Sequence, residues 1–80
     1  MYNKYMNKRI TINPKIMRGK PVIKGTRIPV YVILNLLAEG CTSGEIKKEY
    51  PDLTNKDVLA AIEYASNVIK FEDTKELALA

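Results

Sequence analysis

The stretch GKPVIKGTRIPV, from Gly19 to Val30, decides the fold because half of the chain's glycines and half of its prolines lie within it. Two β-branched residues inside this stretch, Val22 and Ile23, predict a short extended segment reaching to about Lys24, and Gly25 predicts a turn. The residue before a proline favours extended backbone, so Arg27–Ile28 is expected to be extended as well. Short strands and turns are therefore expected here.

Upstream of this stretch, the run RITIN alternates between apolar and polar residues and predicts a strand at Ile10–Ile12. Residues 1–9 are polar and have no hydrophobic period, so we expect a flexible basic arm there. The domain itself is expected over residues 10–71, with a C-terminal tail at residues 72–80.

Three helices are expected after the strands. Pro29 is favourable at the first position of a helix, and Gly40 is favourable just after its end. A capping box, in which Thr42 and Glu45 satisfy each other's backbone N–H groups, predicts the start of a second helix that Pro51 ends. A third helix is expected from Thr54, with Asp57 completing a similar box, to about Phe71; the tail prolongs this helix or frays.

The predicted fold class is therefore mainly α, with short N-terminal β-strands followed by a three-helix bundle resembling a helix-turn-helix. A short helix, a tight turn and a longer helix follow one another in the second half of the chain, as in DNA-binding helix-turn-helix proteins. The first helix is apolar on two faces, and a helix of that kind is buried on more than one side. Val32 and Leu36 on its second face predict a homodimer interface.

The composition argues against several function classes. The chain has no histidine and one cysteine, so a histidine general base, a cysteine-rich zinc site and an internal disulfide are excluded. We expect no enzyme activity, no cofactor and no metal. The N-terminus has no apolar run of the kind found in signal peptides, and we expect a cytoplasmic protein that does not contact a membrane.

Charge is divided unequally along the chain. Eight cations and no acidic residue precede Glu39, while all nine acids lie from Glu39 onward. This asymmetry points to a polyanion as partner, although a solvated lysine-rich surface is the simpler alternative. The candidate DNA-binding residues are the cations of the quoted region and the start of the third helix: Arg18, Lys20, Lys24, Arg27, Thr54, Asn55 and Lys56.

Two of these residues have a second interpretation. Arg27 either contacts phosphate or is a structural clamp that holds a carboxylate or helix-end carbonyls through its planar guanidinium. Thr54 is also expected to act as a helix cap, in which case its replacement costs stability rather than binding. A nucleotide-binding phosphate loop is excluded because no Gly-Lys-Ser/Thr run exists.

The segment from Gly19 to Ala65 resembles the family known as domain of unknown function 433. The resemblance depends on Gly-Lys-Pro-Val-Ile-Lys-Gly-Thr-Arg-Ile-Pro-Val at Gly19–Val30 and on Tyr-Pro-Asp-Leu-Thr at Tyr50–Thr54. It implies a small helix-turn-helix-like protein that acts as an antitoxin similar to the VapB class, with a PIN-like nuclease toxin as partner. It carries over no catalytic residue.

Two hypotheses follow. The first is a non-enzymatic antitoxin-like regulator that binds DNA as a dimer and holds a PIN-like toxin with another surface. The alternative is a protein–protein interaction module whose basic face meets an acidic protein and never contacts DNA. The dependence of affinity on salt separates the two, because phosphate contacts weaken steeply as salt rises.

Overall fold

The computed structural model describes the backbone of residues 7–79 and the side chains of residues 7–71. The chain is mainly helical, with a small antiparallel sheet at the N-terminal side, as the sequence predicted. Residues 1–6 of the predicted arm and Ala80 lie outside the described residues. The elements in order are β1 (Ile10–Thr11), a 3-10 turn (Met17–Gly19), β2 (Val22–Ile23), α1 (Val30–Ala38), α2 (Ser43–Glu49) and α3 (Asn55–Leu79).

The two strands pair in an antiparallel register that opposes Ile10 to Ile23 and Thr11 to Val22. Ile10, Val22 and Ile23 are all buried, so the sheet contributes directly to the core. The chain then turns back on β2, since the Ile23 N–H donates to the Ile28 carbonyl at 3.0 Å. Pro29 forms an isolated bridge with Val22. The segment Gly19–Val30 is thus folded on itself.

A four-residue loop, Lys24–Arg27, joins the two halves of this folded segment. Gly25 has a φ of 82°, a left-handed conformation that glycine adopts without steric cost, which confirms the predicted turn. The Thr26 hydroxyl donates to the Ile23 carbonyl at 2.8 Å and accepts from the Ile28 N–H at 3.0 Å. These bonds fix the loop and leave Lys24 and Arg27 exposed beside its tip.

The start of α1 differs by one residue from the prediction. Pro29 was expected at the first helical position, but its ψ of 146° is extended and it is the N-cap residue, so α1 begins at Val30. The bridge to Val22 holds Pro29 in the extended conformation. The predicted end is confirmed, because Gly40 follows the C-cap Glu39 with a φ of 94°.

Both predicted capping boxes are present. The Thr42 N–H donates to the Glu45 carboxylate at 2.8 Å, and the Glu45 N–H donates to the Thr42 hydroxyl at 3.1 Å. The same exchange joins Thr54 and Asp57 at the start of α3. The α3 helix continues to Leu79, so the tail at residues 72–79 prolongs the helix.

The core lies where the sheet and the three helices meet. Val30 and Ile33 enter it from α1, Ile46 from α2, and Leu53 from the turn before α3. The α3 helix contributes small or β-branched side chains that allow it to approach the sheet and α1 closely: Val58, Ala60 and Ala61.

One buried charge attaches the sheet to α3. Asp57 is 6% exposed and is the only buried polar or charged residue in the described part of the chain. Its Oδ1 accepts from Arg9 Nη1 at 3.0 Å, while its Oδ2 accepts from the Thr54 N–H at 3.0 Å. We call the Arg9–Asp57 ion pair the anchor. Because Arg9 directly precedes β1, the anchor holds the strand against the first turn of α3.

The capping box of α2 predicts a dependence of stability on pH. Hydrogen bonds from the Thr42 backbone and then from its side chain lower the pKa of Glu45 below its usual value. A carboxyl with a lowered folded pKa stabilises the fold fully above its unfolded pKa, and this stabilisation is lost as pH falls through the folded pKa.

We therefore expect Glu45→Gln to be less stable than the wild type at neutral pH and to lose this deficit in acid. Thermal melts from pH 7 to pH 3 measure the difference, with Glu49→Gln on the same helix as the matched control. A deficit for Glu45→Gln that stays constant over this range would contradict the assignment.

Candidate functional site

The anchor brings together cations from three different elements. The Lys24 N–H donates to the Arg9 carbonyl at 2.7 Å, which places the Lys24–Arg27 loop beside Arg9. Arg9 binds Asp57, and Lys56 immediately precedes Asp57 on α3. We call Arg9, Lys24 and Lys56 the basic cluster. The backbone hydrogen bond from Lys24 to Arg9 and the ion pair between Arg9 and Asp57 therefore connect segments that are far apart in the sequence. Lys24 is 15 positions and Lys56 is 47 positions from Arg9.

A cleft of about 190 Å³ lies beside the basic cluster. Its polar lining includes Asn7, Arg9, Lys56 and Glu63, and the Asn7 side-chain amide donates to the Glu63 carboxylate. Asn7 Oδ1 also accepts from the Arg9 N–H at 2.8 Å. Asn7 and Arg9, which belong to the predicted arm, are thus hydrogen-bonded to the domain. Sequence reasoning missed Arg9 as a site residue.

The first turn of α3 contains two exposed polar residues, Asn55 and Lys56, which differ from Thr54 in that their side chains take no part in capping the helix. The Thr54 hydroxyl accepts from the Asp57 N–H at 3.2 Å, so its side chain is engaged in capping. Asn55 and Lys56 are exposed, and their side chains make no hydrogen bond with any residue from 7 to 71. Of the three residues predicted at this helix start, these two are available to a ligand.

Among the described residues, the arginine that pairs with a buried carboxylate is Arg9. Arg27 is exposed, and its side chain makes no ion pair or hydrogen bond with the part of the chain between residues 7 and 71. The predicted cation Arg18 is exposed in the 3-10 turn, with a left-handed φ of 57°. The signal that indicates Arg9 is the capping acid Asp57, because a carboxylate buried under a helix start requires a partner.

Lys20 belongs to a different surface from the basic cluster. Its Nζ lies 4.8 Å from the centroid of the Tyr31 ring on α1, within the range of a cation–π contact. The predicted cations are therefore divided. Lys24 and Lys56 lie beside the anchor, while Lys20 lies on the side where α1 meets the later turns of α3.

An apolar groove of about 470 Å³ opens next to Lys20, and we call it the α1–α3 groove. Pro21 and Lys20 lie at one side of it. The two helices supply the remaining lining residues, which are apolar or aromatic: Val30, Tyr31, Leu34, Tyr64, Ala65, Val68 and Ile69. The apolar spacing of α1 and α3 predicted core positions, and it did not show that some of them border an open groove.

The predicted dimer residues are partly covered within the chain. Val32 and Leu36 are half-buried, and Leu36 packs against the core. The α3 helix has apolar side chains that are more exposed, since Leu59 is 64% and Ile69 is 59% exposed. The dimer interface at Val32 and Leu36 stays a prediction.

Two further observations concern the described residues as a group. Their Cys, Asp and Glu side chains form no cluster of three or more that is arranged to hold a metal ion. No helix within this part of the chain combines the length and apolar character needed to cross a bilayer.

Comparison with known proteins identifies the family. The profile described as "Protein of unknown function (DUF433)" matches residues 10–65, from β1 into the middle of α3. The chain belongs to the DUF433 family, as its Gly19–Ala65 segment indicated. The matched region also includes the Ile10–Thr11 strand and the Asp57 of the anchor.

A solved structure and a curated sequence are similar to this chain. A crystal structure of a DUF433 member protein from Anabaena variabilis ATCC 29413 superposes with a TM-score of 0.73 at 30% identity, covering 86% of this chain and 68% of that one. The uncharacterized protein y4eO of Sinorhizobium fredii (strain NBRC 101917 / NGR234) is 34% identical over 56 residues, which are 70% of this chain. This match spans 25% of the length of y4eO.

The geometry of the anchor predicts different effects for two arginines. Arg9→Gln and Asp57→Asn should each lower the free energy of unfolding, and a double-mutant cycle should give a coupling of about 1 kcal/mol because Arg9 is partly solvated. Its side chain is 43% exposed, compared with 9% for Asp57.

Arg27→Gln is the matched control, because it removes the same group from a residue with no described side-chain partner. Urea unfolding of the four variants and the wild type measures these effects. A zero coupling between Arg9 and Asp57, or a loss at Arg27 as large as that at Arg9, would contradict the assignment of the anchor.

Proposed function

We propose that this protein is a non-enzymatic, antitoxin-like regulator that binds DNA as a dimer and holds a PIN-like nuclease partner with a separate surface. The observation that carries the DNA-binding half is the convergence of Arg9, Lys24 and Lys56 at the start of α3. The resemblance of the Gly19–Ala65 segment to antitoxin-like proteins supports the nuclease half.

The basic cluster suits a phosphate backbone better than a single small anion. Its members come from the residue before β1, from the Lys24–Arg27 loop and from α3, so the charge is supplied by three separate segments and not by one loop that encloses an anion. Arg9 uses one guanidinium nitrogen in its described contact with Asp57, and the rest of that exposed group keeps N–H donors for phosphate oxygens. Lys24 and Lys56 are exposed and add two point charges.

The arrangement of α2 and α3 supports a helix-turn-helix mode of binding. The two helices pack together and are separated by residues 50–54, and α3 presents its first turn beside the basic cluster. In proteins of this class, residues near the N-terminus of the second helix contact base edges while other groups contact the backbone. Asn55 and Lys56 occupy the corresponding positions.

The exposed side of α3 limits how much sequence the protein distinguishes. One and two turns beyond Lys56, the exposed side chains are Leu59 and Glu63 respectively. An apolar residue and a carboxylate are poor partners for a phosphate-lined groove. Base contacts are therefore confined to Asn55 and Lys56, and affinity comes mainly from phosphate contacts that are insensitive to sequence.

The second candidate is an interaction module that binds another protein and no DNA. The α1–α3 groove favours it, because a large apolar opening on a small domain is typical of protein or ligand binding. In that case the basic face meets an acidic protein and contacts no DNA. The DNA experiment below separates the two candidates.

We expect Lys24→Ala and Lys56→Ala to weaken binding to duplex DNA about fivefold each at low salt, because each removes one phosphate or base-edge contact. Fluorescence anisotropy at several salt concentrations measures both affinity and salt slope. Lys70→Ala is the matched control, since it removes an exposed lysine 14 residues beyond Lys56 on α3, about 21 Å along the helix axis.

For Lys24→Ala we expect equal weakening on all duplexes and a salt slope smaller by about one unit. For Asn55→Ala we expect a change in preference between duplexes with an unchanged slope, because base contacts specify and phosphate contacts position. A wild type that binds no duplex at low salt, or three lysine variants with identical losses, would remove the DNA-binding proposal.

A further inference from the structure

We infer that the α1–α3 groove binds an amphipathic α-helix of a partner protein, with an acidic residue of that helix paired to Lys20. This inference names a surface and a chemistry for the partner half of the proposed function, and it does not depend on DNA binding.

The shape of the groove fits a helix. Its walls are two adjacent helices that pack against each other, with Tyr31 and Leu34 among the lining residues on α1 and Ala65 and Val68 among those on α3. A third helix packs naturally into the furrow between two others at a spacing of about 8–10 Å. Small Ala65 lies in this wall and allows close approach of a backbone.

The apolar surface extends beyond what a small ligand covers. Ile69 borders the groove and is 59% exposed, and Ile62, two turns earlier on α3, is 44% exposed. Exposed aliphatic side chains at such spacing continue the apolar wall along the helix. Helix-in-groove recognition uses anchors repeated over several turns in this way.

Charge complementarity determines which kind of helix fits. Among the described residues that line the groove, Lys20 is the only one with a charged side chain, and its contact with Tyr31 holds the ammonium group at the edge. A carboxylate on the partner helix pairs with this group. A second copy of the chain is disfavoured as occupant, because groove-on-groove packing about a two-fold axis brings both Lys20 side chains into one interface.

The groove and the basic cluster lie on nearly opposite sides of α3. The cleft beside the cluster is lined by Lys56, Leu59, Ala60 and Glu63, whereas the groove is lined by Tyr64, Ala65, Val68 and Ile69. At 3.6 residues per turn, the two sets centre on directions roughly 160° apart. One chain can therefore bind DNA and a partner helix at the same time.

A pair of synthetic peptides tests the inference. Each is an amphipathic helix of about four turns, and the two differ only in one Glu or Lys at the edge of the apolar face. Titration of the full chain, followed by amide chemical shifts, should show that the Glu peptide binds more tightly and perturbs Leu34 and Val68. Lys20→Glu should reverse the preference, with a change of about fivefold for each peptide.

Two variants serve as controls. Lys48→Glu on α2 makes the same charge reversal outside the groove and should leave the preference for the Glu peptide unchanged. Ile69→Asn removes an exposed apolar wall residue and should weaken both peptides while leaving DNA binding intact. A wild-type chain that binds the peptides but no duplex DNA would overturn the proposed DNA site alone.

Three results would overturn the inference. The first is equal binding of both peptides to wild type and Lys20→Glu. The second is binding of dodecanoate in the groove with no binding of either peptide, which would show a small-amphiphile site. The third is a concentration-dependent dimer that Ile69→Asn dissociates, which would show that a second copy occupies the groove.

Discussion

The carboxylate of Asp57 makes the contacts on which the rest of the structure depends. One of its oxygens accepts from the backbone N–H of Thr54, the residue before α3. The other accepts from Arg9 Nη1 at 3.0 Å. A carboxylate this deeply buried is costly unless both its charge and its hydrogen-bonding capacity are satisfied. Asp57 meets both requirements with two groups from different parts of the chain. The same contacts place β1 and the Lys24–Arg27 loop beside the start of α3.

Local signals explain how much of the fold was predictable. Both capping boxes involve residues three apart, and the turns at Gly25 and Gly40 depend on the conformation of single residues, so the sequence pattern was sufficient to place them. The start of α1 was predicted one position too early, at Pro29, because the bridge that keeps Pro29 extended is a contact with a separate segment at Val22. The continuation of α3 to Leu79 was one of two alternatives that the polar composition of the tail left open.

The site was less predictable because it depends on contacts between distant residues. Lys24 and Lys56 were predicted from charge and position, but their connection passes through Arg9, which polarity alone assigned to a flexible arm. The clamp role considered for Arg27 requires a buried carboxylate within reach, and the carboxylate that meets this need lies beside Arg9. Separation of Lys20 from the other cations likewise follows from its contact with Tyr31, 11 residues away.

Two surfaces on one small domain suit a protein that connects two partners. The α3 helix is central to both, since its first turn borders the basic cluster and its middle turns form a wall of the groove. The anchor attaches the residue before β1 to the first turn of α3. The proposed regulator, which holds a protein while it is bound to DNA, would use both surfaces at once.

Amide hydrogen exchange in Asp57→Asn tests most directly whether the anchor positions the basic cluster. The Lys24 N–H donates to the Arg9 carbonyl, and the Tyr50 N–H, which donates to Ile46 within α2, reports general destabilisation. We predict that protection of the Lys24 amide falls further than protection of the Tyr50 amide, although Lys24 is 33 residues from the substitution. Equal loss of protection at both amides, or an unchanged Lys24 amide, would contradict the account.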